Sequence, residues 1–247
     1  MLQIRGCAAG YPGNTVFKDL SLSLESGETL TVVGPSGCGK TTLLYLAAGL
    51  LAPRRGTVTL DQQPLSAGDR RIGLVLQQYG LFPWFNVVQN VALGLRLHGI
   101  GRAERISAAR SALQAVGVPR LARRYIGTLS GGEQQRVAIA RTWAMQPQLL
   151  LMDEPFSALD ALTRESLQDL LRSLLQRRLI ATILVTHSIE EALLIGSRVA
   201  VMHGQPARLT FFDNPVAGNR SEALRSSAAF FDAVAALRRL FAELLHA

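Results

Sequence analysis

Between Val33 and Leu43 the chain reads GPSGCGKTT, Gly34 through Thr42. It satisfies G-x-x-x-x-G-K-[ST] at every fixed position, with a strand-like run before it and a helical pattern after it. Glycines let such a loop turn backbone N–H groups inward, and a helix beginning near Gly39 adds the positive end of its dipole. The guest suited to that cradle is a triphosphate. Gly34, Pro35, Ser36, Gly37, Cys38, Gly39, Lys40, Thr41 and Thr42 are therefore the candidate binding residues. Lys40 is expected to reach the β and γ phosphates as a point charge, and the Thr41 hydroxyl to take one place on Mg²⁺.

A second set lies far along the chain. The apolar run LLLM ends in Asp153 and Glu154, and two adjacent acids at the end of a buried strand are costly unless a cation and a water employ them. Asp153 is read as holding Mg²⁺ through its waters, Glu154 as the general base that polarises an attacking water. Gln77 after GLVL and His187 after ILVT stand at the exits of two further strands, where ligands of parallel sheets gather. Gln77 is expected to touch metal and water, and His187 to donate to the γ-phosphate. Finally, Ser130-Gly131-Gly132 opens the helical run EQQRVAIARTW. A hydroxyl and free N–H groups at a helix N-terminus form an anion site, and Ser130 is equally suited to be an ordinary N-cap.

Elements must hold these residues. MLQIRGC, VFKDLSLSLE and ETLTVVG read as strands, with turns at Gly13-Asn14 and Ser26-Gly27. TTLLYLAAGLL has helical spacing with a stop at Pro53, after which GTVTL and RIGLVLQ return to strand. From about Gln78 to Gln135 the patterns NVVQNVALGLRLHG and RAERISAARSALQAVGV are amphipathic and helical, so 78–135 is read as a helical insert. Strand and helix then alternate again through QLLLMDE, a helix from about Thr163 to Gln176, ATILVTH, a short helix through Glu190-Glu191, and RVAVMH. This is the pattern of a mainly parallel sheet with helices on its faces. Residues 216–247 read as a short helical tail.

Composition sets the outer bounds. With 247 residues, 48% hydrophobic and 18% charged, the chain can bury a full core at the upper end of single-domain size. No apolar run approaches the roughly 18 to 20 residues of a bilayer-spanning helix, and no signal-peptide pattern opens the sequence; a cytosolic location is expected. Two cysteines, Cys7 and Cys38, make neither a disulfide framework nor a metal cage. The excess of 26 basic over 18 acidic residues, a net +8, is dispersed in pairs such as Arg70-Arg71 and Arg238-Arg239. Charge alone leaves nucleic acid, an anionic membrane face and an ordinary solvated surface all open.

Taken together, these residues resemble the ATP-binding subunit of ABC transporters over about residues 1 to 215. GPSGCGKTT is similar to Walker A, Gln77 to the Q-loop, LSGGEQQR to the signature, LLLMDEP to Walker B, Ser157-Ala158-Leu159-Asp160 to the D-loop, and His187 to the switch histidine. The resemblance implies a single ABC ATPase domain: a P-loop NTPase core with a mainly parallel sheet, an N-terminal antiparallel β subdomain and a helical signature-motif subdomain. It implies Tyr11 stacked on adenine, and Ser130, Gly131, Gly132 and Glu133 presented in trans to the γ-phosphate of a partner's ATP. A homodimer follows, bound at the inner membrane face to two membrane-spanning subunits, served indirectly by a solute-binding protein, and without nucleic acid. Tyr79, Phe82, Pro83 and Trp84, close to Leu81 and Phe85, are the expected contact with the membrane subunits. They form a groove if exposed and subdomain core if buried.

YGLFPWFNVVQNVALGL, MDEPFSALDALTRESLQ and VTHSIEEAL are similar to importers of nitrate, sulfonates including taurine, and pyrimidine vitamin precursors. An exporter, or a soluble ABC ATPase outside transport, is the alternative. The chain departs from the pattern at Glu133, where this subfamily often has Met and the wider family Gln, and at Ser188, where Asp is usual. Serine caps a helix as aspartate does. Cys38, inside the phosphate loop, is either a thiol-sensitive point or a small loop filler.

Overall fold

The computed structural model describes residues 1–219 and 222–246; Arg220, Ser221 and Ala247 of the expected tail lie outside the described residues. In chain order the elements are β1 (Leu2–Tyr11), β2 (Asn14–Leu24), β3 (Thr29–Val33), α1 (Lys40–Ala47), β4 (Arg55–Leu60), β5 (Gln63–Pro64) and β6 (Ile72–Val75). There follow α2 (Val87–Leu97), α3 (Arg102–Ala115), α4 (Gly131–Ala144), β7 (Leu149–Asp153), α5 (Ala161–Gln176), β8 (Ala181–Thr186), α6 (Ile189–Ile195), β9 (Arg198–His203), β10 (Arg208–Phe212) and α7 (Ala228–His246). The chain divides into two compact units. The first comprises Met1–Asp69, Leu151–Glu154 and Leu179–Ala247, the second Arg70–Leu150 and Pro155–Arg178.

In the first unit an antiparallel sheet of order β2-β1-β4-β5 carries the alternation legible in the sequence. Leu2 faces Leu24 and Ile4 faces Leu22 across the β1–β2 ladder, and all four are buried. The other sheet runs β10-β9-β3-β8-β7 here, with β3 parallel to β8 and to β9 and β10 antiparallel to β9. Every residue of β3, β7 and β8 is buried. That is why these strands read as continuous apolar runs: a strand covered on both faces has no solvent side to alternate with.

The first helix is shorter than its pattern suggests. It stops at Ala47 instead of running to Pro53, and the N–H groups of Leu50 and Leu51 both donate to the Tyr45 carbonyl, at 2.9 and 3.1 Å. Gly49 takes φ 67°, and a Cβ there would lie 2.9 Å from the Ser66 carbonyl carbon. Only glycine combines that conformation with that approach. Two short strands, β5 and β10, have no sequence signal strong enough to predict them.

In the second unit β6 lies beside the start of β7, the Leu149 N–H donating to the Arg71 carbonyl at 3.0 Å. α2, α3 and α4 pack on one another through Val87, Val91, Leu113 and Val137, all fully buried. α5 presents Leu167 and Leu171 inward at helical spacing. It begins at Ala161, two residues earlier than its pattern, because Asp160 caps it.

Candidate functional site

In the first unit the phosphate-loop sequence forms the turn between β3 and α1. Gly39 at φ 109° precedes the helix, and no side chain caps it, so its first backbone N–H groups are left for a ligand. The loop is drawn tight. A Cβ on Gly34 would stand 2.7 Å from both the Cys38 sulfur and the Met202 carbonyl oxygen, and one on Gly39 2.5 Å from a Val16 methyl.

Lys40 is 7% exposed, and its Nζ donates to the carbonyls of Gly34 at 2.9 Å and Pro35 at 3.0 Å. These two bonds hold the cation beneath the loop. The Thr41 hydroxyl donates to Asp153 Oδ2 at 2.9 Å, joining residues 112 apart in sequence. Burial pushes the Asp153 carboxyl up, and the adjacent Glu154 adds to this; the Thr41 hydrogen bond and the Lys40 charge pull it back. A desolvated carboxylate beside a hydroxyl is a hard-oxygen donor pair, and it fits Mg²⁺, which takes one or two protein ligands and completes its shell from phosphate and water.

Glu154 has left the strand conformation. Its φ is 43°, and its N–H donates to the Val185 carbonyl at 3.0 Å. Successive residues of an ordinary strand point to opposite faces. The left-handed turn at Glu154 instead places its carboxylate 3.9 Å from Lys40 Nζ and 3.1 Å from His187 Nδ1. Such a conformation costs a non-glycine residue about 1–2 kcal/mol, and a strained acid held between Lys40 and His187 points to function. His187 is exposed and follows the end of β8; Ser188 after it caps α6, accepting from the Glu191 N–H at 3.2 Å. Serine here does what the expected aspartate would do. Tyr11 ends β1 with 42% of its surface exposed, so its ring is accessible. Burial raises the Cys38 thiol against the pull of Lys40, which favours the unreactive thiol.

In the second unit Ser130 is the N-cap of α4. Its hydroxyl accepts from the Glu133 N–H at 3.3 Å, and the Glu133 carboxylate accepts from the Ser130 N–H at 3.0 Å. This reciprocal capping box is the arrangement that S-x-x-E encodes. The turn is therefore an N-cap in this structure, with a carboxylate already at the N–H of Ser130. Gly132 lies against α5, where a Cβ would fall 2.4 Å from a Thr163 methyl. Along Ser157 to Asp160, Leu159 is buried, Ala158 is exposed and Asp160 caps α5, accepting from the Thr163 N–H at 3.0 Å.

Gln77 is exposed two residues beyond β6. The loop after it contains the expected aromatic cluster, of which only part assembles. Phe82, Trp84 and Phe85 form a ring triad with centroids 5.4 to 6.3 Å apart. Trp84 is 66% exposed, Pro83 is exposed, and Leu81, Phe82 and Phe85 are half-buried, so these side chains reach the surface and are not closed subdomain core. Tyr79 departs from the expectation that groups it with this patch, since its hydroxyl is directed instead to the signature turn, where a Cβ on Gly131 would lie 3.6 Å away.

Two organising residues are missing from the sequence reading. Asn90, fully buried, accepts from the Phe82 N–H and donates to the carbonyls of Phe82, Phe85 and Asn86. Arg141 donates to the carbonyls of Gly80 and Tyr79. Neither carries a local signal, because a single Asn or Arg within an amphipathic helix reads as a solvated side chain.

Comparison with known proteins shows the family to which the chain belongs. Residues 17–157 match the family model described as ABC transporter. The chain is 45% identical to the taurine import ATP-binding protein TauB of Escherichia coli O157:H7, over 93% of this chain and 92% of that protein. It is 48% identical to the Pseudomonas aeruginosa TauB, over 78% and 74% respectively. Among solved structures, cbiO1 from Clostridium perfringens, part of the ABC transporter complex cbiONQ, superposes with TM-score 0.79 at 26% identity, covering 96% of this chain and 98% of that one. A dimeric post-hydrolysis state of the ATP-binding cassette MJ0796, bound to ADP and Pi, gives TM-score 0.73 at 32% identity over 81% and 94%.

Proposed function

The chain belongs to the ABC transporter family, and on that premise we propose that it is the ATP-hydrolysing subunit energising import of taurine or a closely related small sulfonate. It works as a homodimer on the inner face of the membrane with two membrane-spanning subunits, and a solute-binding protein delivers the cargo. The observation that carries the reading is the Lys40, Thr41, Asp153, Glu154 and His187 cluster, in which each charged group already has its counterpart within about hydrogen-bond or ion-pair reach. The choice of solute is supported by relatives named for taurine import.

The loop N–H groups and Lys40 bind the triphosphate, and Tyr11 stacks on the adenine face. The Thr41 hydroxyl and Asp153 would hold Mg²⁺, with Gln77 as a further contact, and the ion would supply neutralisation of β and γ phosphate charge. Glu154 orients a water toward the γ-phosphorus and takes its proton. The water oxygen forms the new P–O bond, the bond to the bridging oxygen of ADP breaks, and ADP and phosphate are the products. His187, within hydrogen-bond reach of the Glu154 carboxylate through Nδ1, donates to the transferring phosphoryl group in its protonated form. In the dimer, Ser130 through Glu133 face the partner's ATP, and the Ser157–Asp160 segment accompanies them. Binding two ATP closes the dimer and hydrolysis reopens it, which moves the membrane subunits docked on the aromatic loop.

Steady-state hydrolysis of Mg-ATP tests the cluster. Glu154→Gln should lower kcat by about 10²–10⁴-fold, the usual contribution of a general base, while ATP binding persists and light scattering shows an ATP-dependent dimer. Full activity in that variant would overturn the assignment. Uptake of labelled taurine by cells carrying Lys40→Ala in this chain should be lost; uptake at the unmodified rate would remove the solute from the reading.

A further inference from the structure

The loop after Gln77 is fastened to the signature helix by one half-buried side chain. Tyr79 and Gly80 take consecutive φ values of 62° and 60°, a left-handed pair that leaves both carbonyls pointing away from any regular ladder. Arg141, on α4, meets them. Its Nη1 donates to the Gly80 carbonyl at 2.6 Å and its Nη2 to the Tyr79 carbonyl at 2.9 Å. The planar fork of a guanidinium satisfies two adjacent acceptors at once, which a lysine ammonium on a flexible stem does not. Partial burial holds this guanidinium below the usual arginine value, and both of its hydrogen bonds are charge-assisted, the stronger kind.

Three functional segments converge on this clamp, all within the second unit. Gln77 lies two residues before it. The ring triad follows it and is tied down separately by Asn90 through the Phe82, Phe85 and Asn86 backbone. The Tyr79 hydroxyl extends along α4 to Gly131 at the signature turn, and α4 is the same helix that carries Arg141. A displacement of the aromatic loop thus reaches the signature turn through a two-point hydrogen-bonded junction.

We propose that Arg141 is a positioning residue for ATP hydrolysis, locking the loop that carries Gln77 and the aromatic patch to α4, so that the signature turn offered to the partner's ATP moves in register with both. This rests on the dimer reading above. Without the clamp the chain still binds ATP in its own phosphate loop but presents a misplaced signature turn.

The test uses the Glu154→Gln chain as parent, in which hydrolysis does not drain the ATP-bound dimer. Arg141→Met and Arg141→Lys are each added to it, and the ATP concentration giving half-maximal dimer is measured by light scattering. A fluorescent ATP analogue reports nucleotide affinity at protein concentrations too low for dimerisation. Arg141→Met should raise the half-dimerisation concentration by at least about tenfold, since two charge-assisted bonds are lost, with monomer affinity unchanged within about twofold. Arg141→Lys, able to reach one carbonyl, should fall between. A variant that merely unfolds would lose nucleotide affinity and melting temperature together; if Arg141→Met does so, Arg141→Lys alone decides. Dimerisation of a folded variant at the parent's ATP concentration overturns the proposal. A parent that fails to dimerise refutes the dimer reading instead.

Discussion

Gly34→Ala asks how tightly the phosphate loop is drawn. The new methyl carbon would stand 2.7 Å from the Cys38 sulfur and 2.7 Å from the Met202 carbonyl oxygen. The two obstacles differ in kind. A cysteine side chain swings away, whereas the Met202 carbonyl belongs to β9, which pairs with β3 in the sheet, and it moves only if the ladder moves. Overpacking of this sort costs typically 1–3 kcal/mol. If the sheet yields, the cost falls on stability, and at about 2–4 °C per kcal/mol for a chain this size the melting temperature drops by about 2–12 °C. If the loop yields instead, the Gly34 carbonyl that holds Lys40 shifts, and ATP affinity weakens by about 5- to 150-fold. Differential scanning fluorimetry and titration with a fluorescent ATP analogue separate the two. The decisive comparison is the double variant Gly34→Ala, Cys38→Ala. Removing the sulfur leaves the carbonyl in place, so the defect should remain. Full rescue by Cys38→Ala would refute the argument that backbone, not side chain, sets the spacing.

Burial raises the Asp153 carboxyl in the folded state, so the native chain binds this proton more tightly than the unfolded chain. Stability of the nucleotide-free protein from this group therefore falls as pH rises from the ordinary carboxylate value near 3.8 through the elevated one. Asp153→Asn should remove that slope and, like other substitutions that relieve a strained active site, stabilise the free chain at neutral pH by about 0.5–2 kcal/mol while abolishing hydrolysis; a lowered melting temperature would contradict this. Glu133→Gln keeps the capping geometry but removes a charge from the signature turn, and should lower the ATP concentration for dimerisation by about two- to fivefold, the scale of one charge at a helix terminus. No change, or a rise, would show that the carboxylate does not compete for that turn. Trp84→Ala, at an exposed ring, should leave the melting temperature within about the range of ordinary surface substitutions, ±0.5 kcal/mol, yet abolish co-purification with the membrane subunits; normal assembly would displace the aromatic loop as the docking surface.

The parts of the candidate site were legible in sequence because they are local. A glycine loop followed by Lys-Thr, an apolar run ending in two acids, and S-x-x-E before a helix each encode their own hydrogen-bonding geometry within a few residues. The buried strands were legible for a related reason: burial on both faces removes alternation, and that absence is itself a pattern. β10 and the early end of α1 were not legible, because pairing and the close approach of Gly49 to Ser66 depend on segments distant in the chain. The docking of the tail was equally hidden; Arg238 on α7 donates to Glu190 on α6 at 2.5 Å, across 48 residues. Only the tertiary structure decided that Thr41 meets Asp153, that Glu154 turns left-handed to stand between Lys40 and His187, and that Arg141 secures the loop beyond Gln77. Sequence periodicity reports which face of an element is apolar, while a hydrogen bond between residues tens of positions apart exists only once packing has brought the two elements together.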